Sequence, residues 1–348
     1  MPALLALLLL IGGGVTAASE QSVPGDLLYP VKINFNERVR SILAVTDQDD
    51  ARWETEAAER RLSEAELLTE RGTLDEVTRT TLENEFAGHV NQAEERTTKL
   101  VAAGELAAAS DITVNLEAAL SAHQRIIADL TVTTTAALAA TTATSTTPNT
   151  EGVVATSTDN GTRNVFQKAL SELGKLSQRV GDKLEEVVVS REAVDVQLLT
   201  AADRQDEAQT LARNREKSAE DRLLTVRGHL QTHRLAHGSG SGTEAEARLL
   251  AADNALDRGR AAIGDKDFTN AYHRYQEAIK QALESDAFLR TEKEKYTSNT
   301  GMPALGTSPA SVVPQPLDIS HMIPLTPTSV MVVPDGTPGV PTTTQVAP

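Results

Sequence analysis

Apolar residues recur at the spacing of an α-helix through the first 130 residues. One run has intervals of four, four, three, four and three, at Leu82, Phe86, Val90, Ala93, Thr97 and Leu100. Comparable stripes lie between Trp53 and Leu68 and between Ile112 and Leu130, and a shorter one comprises Ile33, Val39, Ile42 and Leu43. Each stripe gives its helix one apolar face. With Gly72 and Gly104 as helix stops, the pattern predicts a small antiparallel helical bundle over residues 20–130.

A heptad pattern then runs through residues 164–237. Its first half contains Phe166, Leu170, Leu173, Val180, Leu184 and Val187, and its second half contains Ala219, Leu223, Val226 and Leu230. A polar stretch from Asp203 to Asn214 separates the halves, and no proline interrupts them. The pattern predicts one long coiled-coil-like helix, or two helices end to end, with an apolar seam against residues 244–295 or a second copy of the chain. We favour the intramolecular arrangement, because the Gly-Ser loop after His237 lets the chain fold back.

Residues 244–295 are predicted to form a helical hairpin with its turn at Gly264–Asp267. Within it, residues 249–283 resemble a single tetratricopeptide repeat, since Ala255, Leu256, Gly259, Ala271, Tyr275 and Ala278 stand at that family's offsets. The resemblance implies that Gly259 allows close helix approach and that Tyr275 fills the groove. Because one repeat is visible where an array needs three or more, we expect the hairpin to pack on the long helix. The long helix and hairpin together define a second module, residues 164–296.

Composition favours an all-α fold class. Aromatic residues make up 3% of the chain, which speaks against β-sandwiches and barrels. Cysteine is absent, so disulfides, thiolate zinc sites and cysteine nucleophiles are excluded. The net charge of −16 argues against nucleic acid as a partner.

Three segments depart from helical patterning. Residues 1–19 contain an apolar run from Leu4 to Ile11 that suits either a signal peptide or a transmembrane anchor, and both alternatives stay open. Residues 131–163 are rich in Thr, Ala and Ser and are predicted to be a linker. Residues 297–348 are rich in Pro and Thr and are predicted to be a disordered tail. The apolar run predicts an extracytoplasmic protein, membrane-anchored or secreted.

The stretch Pro24–Lys32 reads PGDLLYPVK and is followed by a helix containing AERRLSEAE. On these residues, the chain from 21 to 130 resembles an uncharacterised family of bacterial extracytoplasmic helical domains. The resemblance implies an exported helical domain of unknown activity and supplies no catalytic residues. Physically, we expect Tyr29 to cap the end of the bundle with its hydroxyl bonded locally, and Lys32 and Arg38 to pair with the acidic helices.

Candidate chemistry is confined to histidines. His229, His233 and His237 stand at i, i+4 and i+8, so they share one helix face and are the candidate metal ligands. Three such residues span about 12 Å, so His273 or a carboxylate on a second helix would have to complete a site. The alternative is that they are favourable last-turn residues of a helix. His123, on an apolar stripe, is expected to be a packing histidine.

No catalytic motif is present, so we predict that the protein is not an enzyme and carries no cofactor. The predicted function is that of an exported or membrane-anchored helical protein with a protein-interaction, scaffold or envelope-stress-sensing role. The alternative is an extracytoplasmic metal-binding or metal-sensing protein that uses the histidine ladder. Expected partners are proteins, including a second copy of the chain, on the helical surfaces, and a membrane at the N-terminal segment.

Overall fold

The computed structural model describes Ser19 and residues 22–143, 157–202 and 204–301, and these residues form helices and no strands. The predicted all-α fold class is thereby confirmed. The proposed signal or anchor helix, apart from Ser19, lies outside the described residues, as do the middle of the proposed linker and nearly all of the proposed tail.

Helix α1 has three consecutive parts, an α-helical turn Tyr29–Val31, a π-helical segment Lys32–Glu37 and an α-helical part Arg38–Leu43. It is followed by α2 (Asp47–Glu70), α3 (Glu76–Ala102), α4 (Leu106–Ala143), α5 (Ser157–Ala201), α6 (Gln205–His237), α7 (Thr243–Gly264) and α8 (Phe268–Gly301). Side-chain caps mark two of the starts, because Thr46 accepts from the Asp49 amide and Asp75 from the Thr78 amide.

The predicted N-terminal bundle is present, but it has an additional member. Helices α2, α3 and α4 enclose a core that includes Leu62, Leu82, Phe86 and Leu116. Helix α5 completes that core with Leu173, Val180 and Val187. The prediction that the first half of the heptad seam packs on residues 244–295 or on a second copy is therefore wrong. The physical reason is α4, whose side chains from Ala109 to Ile127 are buried on nearly all sides and therefore need helices around them.

The second half of the seam packs as predicted. The chain leaves the helix between Ala201 and Gln205, which corresponds to the end-to-end alternative. Beyond this break, Leu223, Val226 and Leu230 of α6 are buried against the hairpin formed by α7 and α8. In that hairpin Gly259 lies against the ring of Tyr275, which leaves no room for a Cβ at Gly259. The expected close approach of the two helices is thus confirmed.

A buried polar network connects α4 and α5 of the N-terminal bundle with α6 and α8. Gln276 of α8 donates to Ser110 of α4 at 2.6 Å and to Asp195 of α5 at 3.0 Å, and Tyr272 donates to Asp195 at 3.2 Å. Arg215 of α6 donates to Gln276 from Nε at 2.8 Å. The described residues from Ser19 to Gly301 accordingly lie within one compact unit.

The boundaries of the proposed linker also differ from the prediction. Helix α4 continues to Ala143, and α5 already begins at Ser157. Within this extension of α4, threonine hydroxyls bond back to the preceding turn, since Thr131 donates to the Ile127 carbonyl at 2.8 Å and Thr135 to the Thr131 carbonyl at 2.7 Å. At the other end α8 reaches Gly301, so the predicted tail begins inside a helix.

Candidate interaction surface

Helix α1 has the reverse of the usual amphipathic orientation. Its buried side chains are polar, namely Lys32, Asn36 and Glu37. Its apolar side chains are exposed: Ile42 by 72%, Leu43 by 70% and Phe35 by 57%, with Val39 also exposed. The expectation that the stripe of α1 belongs to the bundle interior is therefore wrong for Val39, Ile42 and Leu43, whereas Ile33 is half-buried.

The π-helical segment explains how three polar residues face the same way. In a π-helix the hydrogen bonds run from i to i+5, which widens the turn relative to an α-helix. Residues four and five positions apart then lie on nearly the same side, and Asn36 and Glu37 have this relation to Lys32. The next α-helical turns carry Val39, Ile42 and Leu43 on the opposite, outward side.

An ionic network fixes this orientation. Lys32 Nζ lies 2.6 Å from Glu64 Oε1 of α2 and donates to the Ser22 carbonyl at 3.0 Å. The Tyr29 hydroxyl donates to Glu64 Oε2 at 3.1 Å and accepts from Arg61 at 2.8 Å. Arg61 also forms an ion pair with Glu37. The expected partners of Tyr29 and Lys32 are thus found, while Arg38 is exposed on the outer surface.

Electrostatics keep Arg61 charged and Tyr29 protonated, whereas burial raises the pKa of Glu64 although Arg61 and Lys32 lower it. Burial alone would lower the pKa of the Arg61 guanidinium, but Glu64 and Glu37 raise it, so Arg61 is a cation. Burial and the neighbouring Glu64 raise the pKa of Tyr29, so its hydroxyl keeps the proton that it donates. Breaking one buried partner of such a pair typically costs 3–5 kcal/mol, since a charge is left without compensation. The network therefore holds α1 firmly in its reversed orientation.

A cavity of about 450 Å³ lies beside this network. Its lining is largely charged and includes Glu59, Glu64, His123 and Arg290. Glu59 pairs with Arg290 at 2.5 Å, and Glu64 pairs with Lys32. These carboxylates are held by cations, an arrangement that stabilises packing between α2 and α8.

The three histidines of the ladder have different partners, although the ring centroids of His233 and His237 lie 4.7 Å apart. His229 bonds to Asp286 of α8 at 2.6 Å, and His233 is buried with its Nε2 3.4 Å from Glu292 Oε2. The ring of His237 is stacked on Tyr296 at a centroid distance of 4.1 Å. Within the described ranges, no group of three or more His, Asp or Glu side chains is arranged to hold a metal ion.

The proposed completing ligand, His273, is not near His229. It is exposed, thirteen residues before Asp286 on α8, which corresponds to roughly 20 Å along the helix. A carboxylate, the other proposed partner, is adjacent to His229 and to His233. Metal binding by His229, His233 and His237 stays a prediction, which calorimetric titration of zinc, nickel and copper would test.

His123 is buried, as expected of a packing histidine, and its Nδ1 lies 2.8 Å from Glu66 Oε1. Burial would lower its pKa, but Glu66 outweighs that effect and raises the pKa above the ordinary value. The carboxylate partner was missed at the sequence level. Its signal is that Glu66 lies beside the apolar stripe of α2, four residues after Leu62.

Comparison with known proteins adds a family likeness for the segment that contains this surface. A model of a domain of unknown function (DUF5667) matches residues 21–146. The match covers about a third of the chain, from just before α1 into the end of α4. No curated protein and no solved structure matches the chain. The expected likeness to an uncharacterised family is confirmed at that level, whereas the likeness to a tetratricopeptide repeat stays a prediction.

The residues quoted for that likeness have structural roles in the network. Tyr29 and Lys32 come from the PGDLLYPVK stretch, and Arg61 and Glu64 come from AERRLSEAE. The two sequence elements therefore meet in space and set the orientation of α1. Among the helices of the described residues, none combines the length and the apolar character needed to cross a bilayer.

Proposed function

We propose that the protein is an exported or membrane-anchored, non-enzymatic helical protein that binds an apolar partner through the outward face of α1. This face, formed by Phe35, Val39, Ile42 and Leu43, is called the α1 face below. The single observation that carries the proposal is the reversed orientation of α1, with charged residues buried and apolar residues exposed.

The energetics of the reversal support a binding role. Burying ions is costly unless they are paired, and the protein pairs Lys32 and Glu37 through Glu64 and Arg61. Exposing large aliphatic residues forgoes the roughly 1.5–3 kcal/mol that burial of each would contribute. A helix that only completed a bundle would have the opposite arrangement. The reversal is understandable if the α1 face is buried in a complex.

The rest of the unit provides a rigid frame for this face. Helix α2 carries Arg61 and Glu64, and it is packed into the core through Leu62 and Ala65. The polar network of Ser110, Asp195 and Gln276 joins α4 and α5 to α8. A scaffold or sensor would need such a frame, because contact at α1 can be passed on to the whole unit only if α1 is rigidly attached.

The α1 face is tested with a photo-crosslinking amino acid at Ile42 of the full chain, expressed in cells. A matched control carries the same amino acid at Leu250, which is exposed by 63% on α7. We expect illumination to crosslink position 42 to the bound partner and to give little such adduct from position 250. The proposal is overturned if position 42 gives no adduct, or if both positions react equally.

A further inference from the structure

We propose that the α1 face rests on the surface of a phospholipid bilayer, with its aliphatic side chains in the interfacial layer. The inference rests on the proposed function and names the class of partner. Three observations support it: the place where the apolar N-terminal run joins the fold, the chemistry of α1 and the buried position of Glu37.

The first observation is proximity along the chain. Ser19 is buried against α1, and its hydroxyl accepts from Asn36 Nδ2 at 3.0 Å. The apolar run Leu4–Ile11 ends eight residues before Ser19, so the two are separated by at most roughly 28 Å of extended chain. If this run enters a bilayer during export or anchoring, α1 is the helix held nearest to that bilayer.

The second observation is the composition of the outward side. Phe35, Val39, Ile42 and Leu43 recur at intervals of four, three and one, which places them on one face of the helix. Arg38 is exposed between them, whereas Arg40 lines the cavity beside Lys32 and Glu64. Aliphatic and aromatic residues flanked by arginine are typical of helices that lie in the membrane interface, where arginine reaches the phosphates while its stem covers apolar surface.

The third observation concerns the carboxylate of α1. Glu37 is the one acidic residue between Tyr29 and Leu43, and it is turned inward to pair with Arg61. The exposed charges of the helix are therefore positive, although the whole chain has a net charge of −16. An anionic lipid surface would repel most of this protein, so contact through α1 also fixes its orientation.

The test uses the full chain reconstituted in vesicles of phosphatidylethanolamine and phosphatidylglycerol. Because the natural chain has no cysteine, a single Ile42→Cys variant can be labelled with an environment-sensitive fluorophore. Leu250→Cys, labelled in the same way, is the matched exposed control on α7. We expect the emission at position 42 to shift to the blue and to be quenched by spin-labelled lipids, and the emission at position 250 to do neither.

Two other results are informative. A blue shift at position 42 without quenching by spin-labelled lipids means that protein covers the face, as in a dimer. That result overturns the lipid proposal and leaves the proposed binding role of α1 intact. Emission at position 42 identical to that at position 250 means that the face stays in water, and it overturns both proposals.

Discussion

The apolar residues of the α7–α8 hairpin are buried, whereas those of helix α1 are exposed. In the hairpin, Leu249, Ala271 and Tyr275 are buried in an apolar core, and Gly259 allows the two helices to approach closely. In α1, Lys32 and Glu37 point inward and the apolar residues point outward. Both segments show helical periodicity, so periodicity establishes that a helix has two faces without establishing which face is buried.

The difference shows what determines which face of a helix is buried. The inner surface offered to the hairpin is apolar, so hydrophobic burial orients it. The surface of α2 offered to α1 carries Arg61 and Glu64, so complementary charge orients α1. A helix with a polar inner surface is held by few, specific contacts, and its outer apolar surface remains available for a partner.

The largest expected effect is loss of the ring at Tyr275, which is fully buried in the hairpin. Tyr275→Ala should lower the free energy of unfolding by about 3–5 kcal/mol, because it removes an aromatic side chain from a packed core. Tyr275→Phe keeps the ring and should retain most of the stability. Urea denaturation measures both, and equal losses in the two variants would contradict the packing role of the ring.

The next effect is at Lys32, in the network below α1. Lys32→Met should lower the free energy of unfolding by roughly 3 kcal/mol, since Glu64 then keeps one of its two cations in a buried position. Arg38→Met, on the exposed side of the same helix, should change it by about 0.5 kcal/mol or less. If chemical denaturation gives similar values for the two, the network does not hold α1.

Particular helices show how far the sequence could predict this fold and surface. The intervals at Leu82–Leu100 and the seam at Leu223–Leu230 predicted buried faces correctly, because their neighbours are apolar. The packing of α5 was missed, although apolar residues almost all around α4 were a signal that it needed helices on several sides. The exposure of the apolar face of α1 could not be predicted, since it depends on Arg61 and Glu64, more than twenty residues away along the chain.

A smaller effect on stability is expected from the buried pair of His123 and Glu66. Burial opposes it, but Glu66 raises the pKa of His123 above its value of about 6.5 in the unfolded chain. The stabilisation is therefore complete below about pH 6.5 and is lost as the pH rises through the raised pKa. His123→Gln should make the free energy of unfolding fall less steeply as the pH rises above about 6.5. An unchanged slope would show that the pair is not titrating.

The smallest effect on stability is expected at the α1 face itself. Ile42→Ser and Leu43→Ser should change the free energy of unfolding by about 0.5 kcal/mol or less, because both side chains are already in water. Leu223→Ser, in the buried seam of α6, is the contrasting variant and should be strongly destabilising. Thermal and urea unfolding of the three variants tests the comparison, and a large loss at Ile42 would mean that this residue is packed.

The reversed orientation of α1 is tested most directly by maleimide labelling of single cysteines in the otherwise cysteine-free chain. We predict that Phe35→Cys and Ile42→Cys react in the folded protein at rates close to those of an unfolded chain. Asn36→Cys, on the buried side of the same helix, should react only as fast as the structure opens. Rapid labelling at position 36 together with protection at positions 35 and 42 would contradict the account.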